Sequence, residues 1–332
     1  MTDARVLTRA LADPQSVLAF DAADWTALLT IAKAERLAGS LAYRLDGLAL
    51  PLEVQRVLAG ARANAEAGRT HALWEAEMAW RALAPLAVPV VLLKGSAFVA
   101  AGLDAGRGRL IGDLDILVQR HDLAAVESAL LAAGWEWVKP DPYDDAYYRR
   151  WMHELPPLIH RERDRMIDVH HTILPLTARP IPDAGALLSA RVALNDGFSM
   201  LAPEDMIVHA AAHLLADGDL AGGLRNLWDI DRLVREFDDD GFHERLQTRA
   251  MLHGLDRETR RALRLSAALF DTPIPQSDVR FGDRFYRARL TARDGWGGET
   301  RPWLRLMFYV RSHWLRMPPL MLARHLWVKW RR

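Results

Sequence analysis

Apolar and polar positions change rhythm twice along this chain. Over the first 85 residues, Ala, Leu, Arg and Glu dominate. The stretch "VQRVLAGARANAEAGRTHALWEAEMAWRAL" (54–83) has helix-forming composition and few breakers, and reads as one long helix or two. From residue 86 the pattern becomes strand-like. "VPVVLLKG" is β-branched, apolar and closed by glycine, and "LDILV" is a second run of the same kind. "HDLAAVESALLAAGW" predicts a helix with Asp122 as N-cap and Gly134 as its stop, and "WEWV" a third strand. "LPPLIHR" and "RMIDVHHTIL" predict a strand pair joined by the charged turn "RERDR". The prolines of "LPLTARPIPDAG" mark a boundary near residue 180, and from Pro203 the spacing is helical again. The pattern predicts an α+β protein: a helical region at 1–85, a small mixed-sheet core at 86–176, and a helical region at 177–332.

One strand breaks its own pattern. In "GDLDILV", Asp113 and Asp115 fall one residue apart, so both point to the same face while Leu114 and Ile116 point to the other. Two neighbouring carboxylates repel and are costly to desolvate, and a cation between them removes both costs. Magnesium favours carboxylates, waters and phosphate oxygens. Solvated aspartates at a strand mouth would give the same spacing. Asp168, between Ile167 and Val169, repeats the arrangement on a later strand, and as an isolated feature would be an edge aspartate facing water. Gly95-Ser96 follows the first strand, where a glycine lets backbone approach a phosphate and hydroxyl and N–H groups donate to it. An ordinary strand-to-helix turn has the same sequence. Three carboxylates on neighbouring strands, facing a Gly-Ser turn at the open edge of a mixed sheet, make a two-metal phosphoryl-transfer constellation.

The run "KGS…GDLDILV…IDVHH" resembles the nucleotidyltransferase superfamily of DNA polymerase β. More closely, "LLKGSAF…R-x-x-GDLDILV…IDVHH…LAPEDMIVHAAAHLL…LRNLWDIDRLV" is similar to an uncharacterised bacterial nucleotidyltransferase family, over roughly residues 60–270. Asp113 lies 18 positions after Gly95, a longer spacing than in the wider superfamily and one that suits the closer family. The resemblance implies transfer of a nucleoside monophosphate from an NTP such as ATP to an acceptor hydroxyl on a small molecule, protein or RNA. It implies Asp113, Asp115 and Asp168 as catalytic residues and as ligands of Mg²⁺ or Mn²⁺. Asp168 would help deprotonate the acceptor. Gly95 and Ser96 would cradle phosphates, with Lys94 and Arg109 as further nucleotide contacts. Lys94 reads equally as a strand-end lysine reaching solvent, and Arg109 as a charge partner for Asp113. His170 shares the face of Asp168 and is an accessory candidate, to orient the acceptor or bond Asp168, and reads equally as a partly buried polar residue with a structural hydrogen bond. The rivals are a metal-dependent glycosyltransferase using Asp-x-Asp and a non-enzymatic binding protein on the same core.

Other features narrow the class. Lys+Arg and Asp+Glu are both 43, so the chain is not built to coat nucleic acid over its whole surface. It has no cysteine, which excludes disulfides and thiolate metal sites. No apolar run approaches the ~18–20 residues of a membrane span, and "MTDARVLTRALADPQ" lacks the form of a signal peptide, so a cytoplasmic protein is expected. His209 and His213 are spaced i, i+4 on a predicted helix, where packing explains them better than a metal. Asp229 and Asp231 fall on a helix and point apart, so they are no second metal pair. Residues 301–332 carry no acid and interleave Arg and Lys with Trp303, Trp314, Trp327 and Trp330. That composition fits helices packed on the core with arginines outward, a peripheral contact with anionic membrane, or a nucleic-acid contact.

Overall fold

The structure, a computed structural model, describes residues 3–138, 142–194, 197–275, 280–316 and 327. Its first long element is a single helix, Leu52–Leu83. Val54, Leu58, Ala65, Ala72, Ala76, Ala79 and Leu83 are its buried apolar positions, a seam at three-, four- and seven-residue steps. Pro85, in the turn Ala84–Leu86, follows its end. Glu75 lies on the same seam and forms a two-pronged ion pair with Arg163, which clamps the helix to the turn between two strands.

The sheet has seven strands: β1 (Val91–Leu92), β2 (Asp113–Leu117), β3 (Trp135–Trp137), β4 (Leu158–His160), β5 (Met166–His170), β6 (Val192–Ala193) and β7 (Ser199–Met200). Their spatial order is β3-β4-β5-β2-β1-β7-β6. The strands β2 and β5 run parallel, β1 is antiparallel to β2, and β4 is antiparallel to β5. The α+β class read from the sequence is the class observed. The hairpin β6–β7 has no counterpart in the sequence reading, because two-residue strands carry no alternation to detect. It carries the sheet beyond residue 176.

The first strand is shorter than expected. It stops at Leu92, and Lys94 and Gly95 already belong to a short helix, Lys94–Ala100. Lys94 itself has φ +49°, a left-handed conformation unusual for a residue with a side chain. The helix after β2, Leu123–Ala132, sits between Asp122 and Gly134 as anticipated, with Gly134 at φ +104°. Downstream, helices Pro203–Ala212, Gly223–Phe237 and Asp256–Phe270 pack on one another, and Asp256–Phe270 also packs on the N-terminal helix Arg5–Ala12. One hydrophobic cluster runs from Leu7 through Ile116 to Trp228 and Phe308. A close backbone crossing brings Gly39 against Gly108, where a Cβ on Gly39 would lie 2.3 Å from the Gly108 carbonyl oxygen.

Candidate functional site

The pairing of β2 with β5 builds the site. Leu114, Ile116, Ile167 and Val169 point into the core and are almost fully buried. Asp113, Asp115, Asp168 and His170 therefore share the other face. Register places Asp115 directly beside Asp168. Oxygens of Asp113, Asp115 and Asp168 all lie within 4.8 Å of one another. The three carboxylates sit on central strands and not on an open edge of the sheet, since β1 and the β6–β7 hairpin extend it on the far side.

Their charges are unequal in consequence. Asp115 is buried, which alone would raise its pKa, but Lys94 and His170 outweigh burial and hold the carboxyl well below the usual range. Both contacts fall on Oδ1: Lys94 Nζ at 2.6 Å and His170 Nε2 at 3.0 Å. Burial opposes the Lys94 ammonium, and Asp115 more than compensates, so the lysine pKa is raised. Among the described residues Asp168 has no ion pair of this kind, and the influence of His170 opposes the rest only weakly. Burial first, then repulsion from Asp115 and Glu154, push its pKa up to about 7.

A cavity of about 540 Å³ opens beside Asp113 and Asp115, a volume within the usual ~300–1,000 Å³ of small-molecule sites. Lys94, Gly95 and Arg109 line it, but Ser96 does not. Ser96 is buried, and its hydroxyl points to the Asp113 carbonyl oxygen at 3.5 Å. Arg109 pairs with Asp229, 120 residues away, and not with Asp113. Asp229 is held from its other side by Arg225, while Asp231 turns away to Arg232, Arg235 and Thr272. Arg109 passes so close over Gly95 that a Cβ there would stand 2.5 Å from its Nε. That nitrogen is buried without a hydrogen bond.

His170 bonds to Asp115, not to Asp168 as its place on the strand suggested. His209 and His213, expected to serve packing, both line the cavity. Burial, and next the charge of Lys94, keep the His209 imidazole neutral by lowering its pKa well below the ordinary value. The sequence reading passed over Glu35 and Arg293, which are paired at 2.7 Å in the cavity wall. It also passed over His153 and Glu154, which adjoin His170. Only the helical spacing of His209 and His213 was a usable signal among these.

The aspartate group offers oxygen donors alone, and its mutual repulsion is what a hard divalent cation relieves. The residues therefore fit Mg²⁺ or Mn²⁺. At the C-terminal end, Trp303, Trp314 and Trp327 are exposed, and Arg179 stacks on Trp314 at 4.9 Å. Trp330 and most of residues 317–332 lie outside the described residues. No helix among the described residues is long and apolar enough to cross a membrane.

No curated protein and no solved structure matches the chain. One family model does, over residues 21–271, and its description is "uncharacterised nucleotidyltransferase".

Proposed function

The chain belongs to the uncharacterised nucleotidyltransferase family, and on that premise we propose that it transfers a nucleoside monophosphate from an NTP to an acceptor hydroxyl with the help of Mg²⁺ or Mn²⁺. The observation that carries this reading is the convergence of Asp113, Asp115 and Asp168 within 4.8 Å beside a cavity walled by Lys94 and Arg109.

In the reaction, a bond forms between the acceptor oxygen and the α-phosphorus, the bond from that phosphorus to the bridging oxygen breaks, and pyrophosphate leaves. Asp113, Asp115 and Asp168 would hold the cation, which supplies positive charge where the attacking and leaving oxygens become negative. Asp168, ionised once the cation is bound, would lie beside the acceptor hydroxyl to take its proton. Lys94 can swing from Asp115 to a phosphate oxygen, because its side chain keeps partial exposure at the cavity wall. Arg109 adds fixed positive charge, held in place by Asp229 and by the absent side chain of Gly95. His209, neutral at the wall, can accept or donate one hydrogen bond without adding charge. No observation favours glycosyl transfer.

The test is incubation with each α-labelled NTP, Mg²⁺ or Mn²⁺, and cell extract, followed by isolation of the labelled product. Label incorporated by the wild type and lost in Asp113→Asn supports the reading. Equal labelling by the variant, or none from any NTP, refutes it.

A further inference from the structure

A second group of ligand atoms adjoins the aspartates without belonging to them. Atoms of His153, Glu154 and His170 lie within 4.8 Å of one another. Backbone pairing fixes them in place. Glu154 stands opposite His170 in an antiparallel bridge, Leu155 N–H donates to the Val169 carbonyl at 2.9 Å, and His171 N–H donates to the His153 carbonyl at 2.8 Å. The two imidazoles lean together with centroids 5.2 Å apart and planes inclined by 34°. Glu154 Oε2 is 3.4 Å from His170 Nδ1 and 3.8 Å from His153 Nε2.

The chemistry of the donors points to a ligand. His170 is almost fully buried, and its Nδ1 has no hydrogen bond, nor does the buried Nδ1 of His153. The other nitrogen of His170 faces Asp115 Oδ1 at 3.0 Å. A carboxylate can only accept, so that nitrogen is the donor, and the opposite nitrogen, Nδ1, is the one turned toward Glu154. A carboxylate that fixes the tautomer of a histidine whose far nitrogen is aimed at other donors is the outer-shell arrangement of protein metal sites. Two imidazoles and one carboxylate suit a borderline ion such as zinc, whereas the all-oxygen aspartate group suits a hard one.

We propose that His153, Glu154 and His170 form a second cation site, separate from the three aspartates, that takes a zinc-type divalent ion. The two sites touch through the His170–Asp115 hydrogen bond, so an ion on His170 stiffens the carboxylate at which nucleotide chemistry is proposed. The site does not depend on that chemistry being correct.

The test uses the full chain, stripped with a chelator and dialysed against Zn²⁺ in excess Mg²⁺. Metal content is then measured for the wild type and for His153→Ala, His153→Gln, Glu154→Gln and Asp113→Asn. One equivalent of zinc is expected in the wild type and in Asp113→Asn. Affinity should fall at least ~10-fold in the other three. In the wild type alone, zinc should shift the ring ¹⁵N resonances of His153 and His170, a readout that survives if a variant fails to fold. Loss of zinc from Asp113→Asn but not from the His153 variants would place the ion on the aspartates and overturn the proposal. So would failure of the wild type to take up zinc, or a doubly protonated His170 unaffected by zinc.

Discussion

Asp115 and Asp168 stand side by side across the parallel pair β2–β5, yet one is held charged and the other holds a proton to about pH 7. The difference lies in their partners: Lys94 and His170 serve Asp115, whereas around Asp168 burial and like charge outweigh the opposing influence of His170. In the folded chain the Asp168 proton is retained where the unfolded chain has lost it. Its contribution to stability is full below about pH 4 and is lost as pH rises through about 7, by a few kcal/mol at most. His153 and His209, lowered mainly by burial, act in the opposite sense below their ordinary value.

The first prediction isolates Asp168 from the histidines. Divalent cations bind the ionised carboxylate, so their apparent affinity should climb with pH up to about 7 and then level. Thermal midpoints with Mg²⁺ minus those with chelator, from pH 5.5 to 8.5 (roughly the span over which such a group titrates), should show a larger increment on the alkaline side. An increment flat across that range would remove Asp168 from the cation site.

The two paired aspartates should also part company on mutation. Asp168→Asn removes a repelled carboxylate, and at pH 8 it should raise the stability of the cation-free protein by about 1–2 kcal/mol. Asp115→Asn strands the Lys94 ammonium and should lower stability by about 1–3 kcal/mol. Both should cut nucleotidyl transfer by at least ~100-fold, some 2.7 kcal/mol of transition-state stabilisation. Denaturant unfolding of the two variants, alongside the labelled-NTP assay, decides the matter. A stabilised Asp115→Asn protein would mean that the Lys94 pair contributes nothing.

The aspartates were legible in the sequence because strand alternation is local: Asp113 and Asp115 alternate with Leu114 and Ile116, Asp168 sits between Ile167 and Val169, and the face shared along each strand follows from a period of two. The rest of the site depends on contacts that no local pattern encodes. Arg109 meets Asp229 across 120 positions, and His209 reaches the cavity from a helix folded back from the far side of the chain. Lys94 looked like the end of a strand, but a left-handed backbone starts a helix there and sends its ammonium to Asp115. His153 and Glu154, in "WMHELPP", have neither helical nor strand periodicity, and only their pairing beside β5 brings them to His170.

Gly95 offers a prediction about space. With a Cβ 2.5 Å from Arg109 Nε, Gly95→Ala must move the guanidinium, and the buried contact with Asp229 moves with it. We expect a loss of about 1–3 kcal/mol, the range for overpacking a tight contact. If Arg109 contributes to the bound triphosphate, the variant should also raise KM for the NTP more than it lowers kcat. Unchanged stability would show that Arg109 can shift freely within the cavity.

The last prediction turns on competition at one oxygen. Lys94 Nζ sits 2.6 Å from Asp115 Oδ1, so in the cation-free chain an ammonium occupies part of the space a divalent ion would claim. Binding of the ion must push the lysine away from the carboxylate, and the displaced charge then lies at the wall of the cavity where a triphosphate would arrive. Lys94→Met removes the competitor. Without nucleotide, Mg²⁺ should bind the variant more tightly, by about tenfold for each 1.4 kcal/mol of lost competition. With nucleotide the sign reverses, because the phosphate loses a cationic contact, and KM for the NTP should rise by at least ~10-fold. Mg²⁺ titration by calorimetry and steady-state kinetics on the same preparation separate the two effects. If Mg²⁺ affinity falls in the variant, Lys94 organises the aspartates for the ion instead of competing with it, and the swing of its side chain from carboxylate to phosphate must be abandoned.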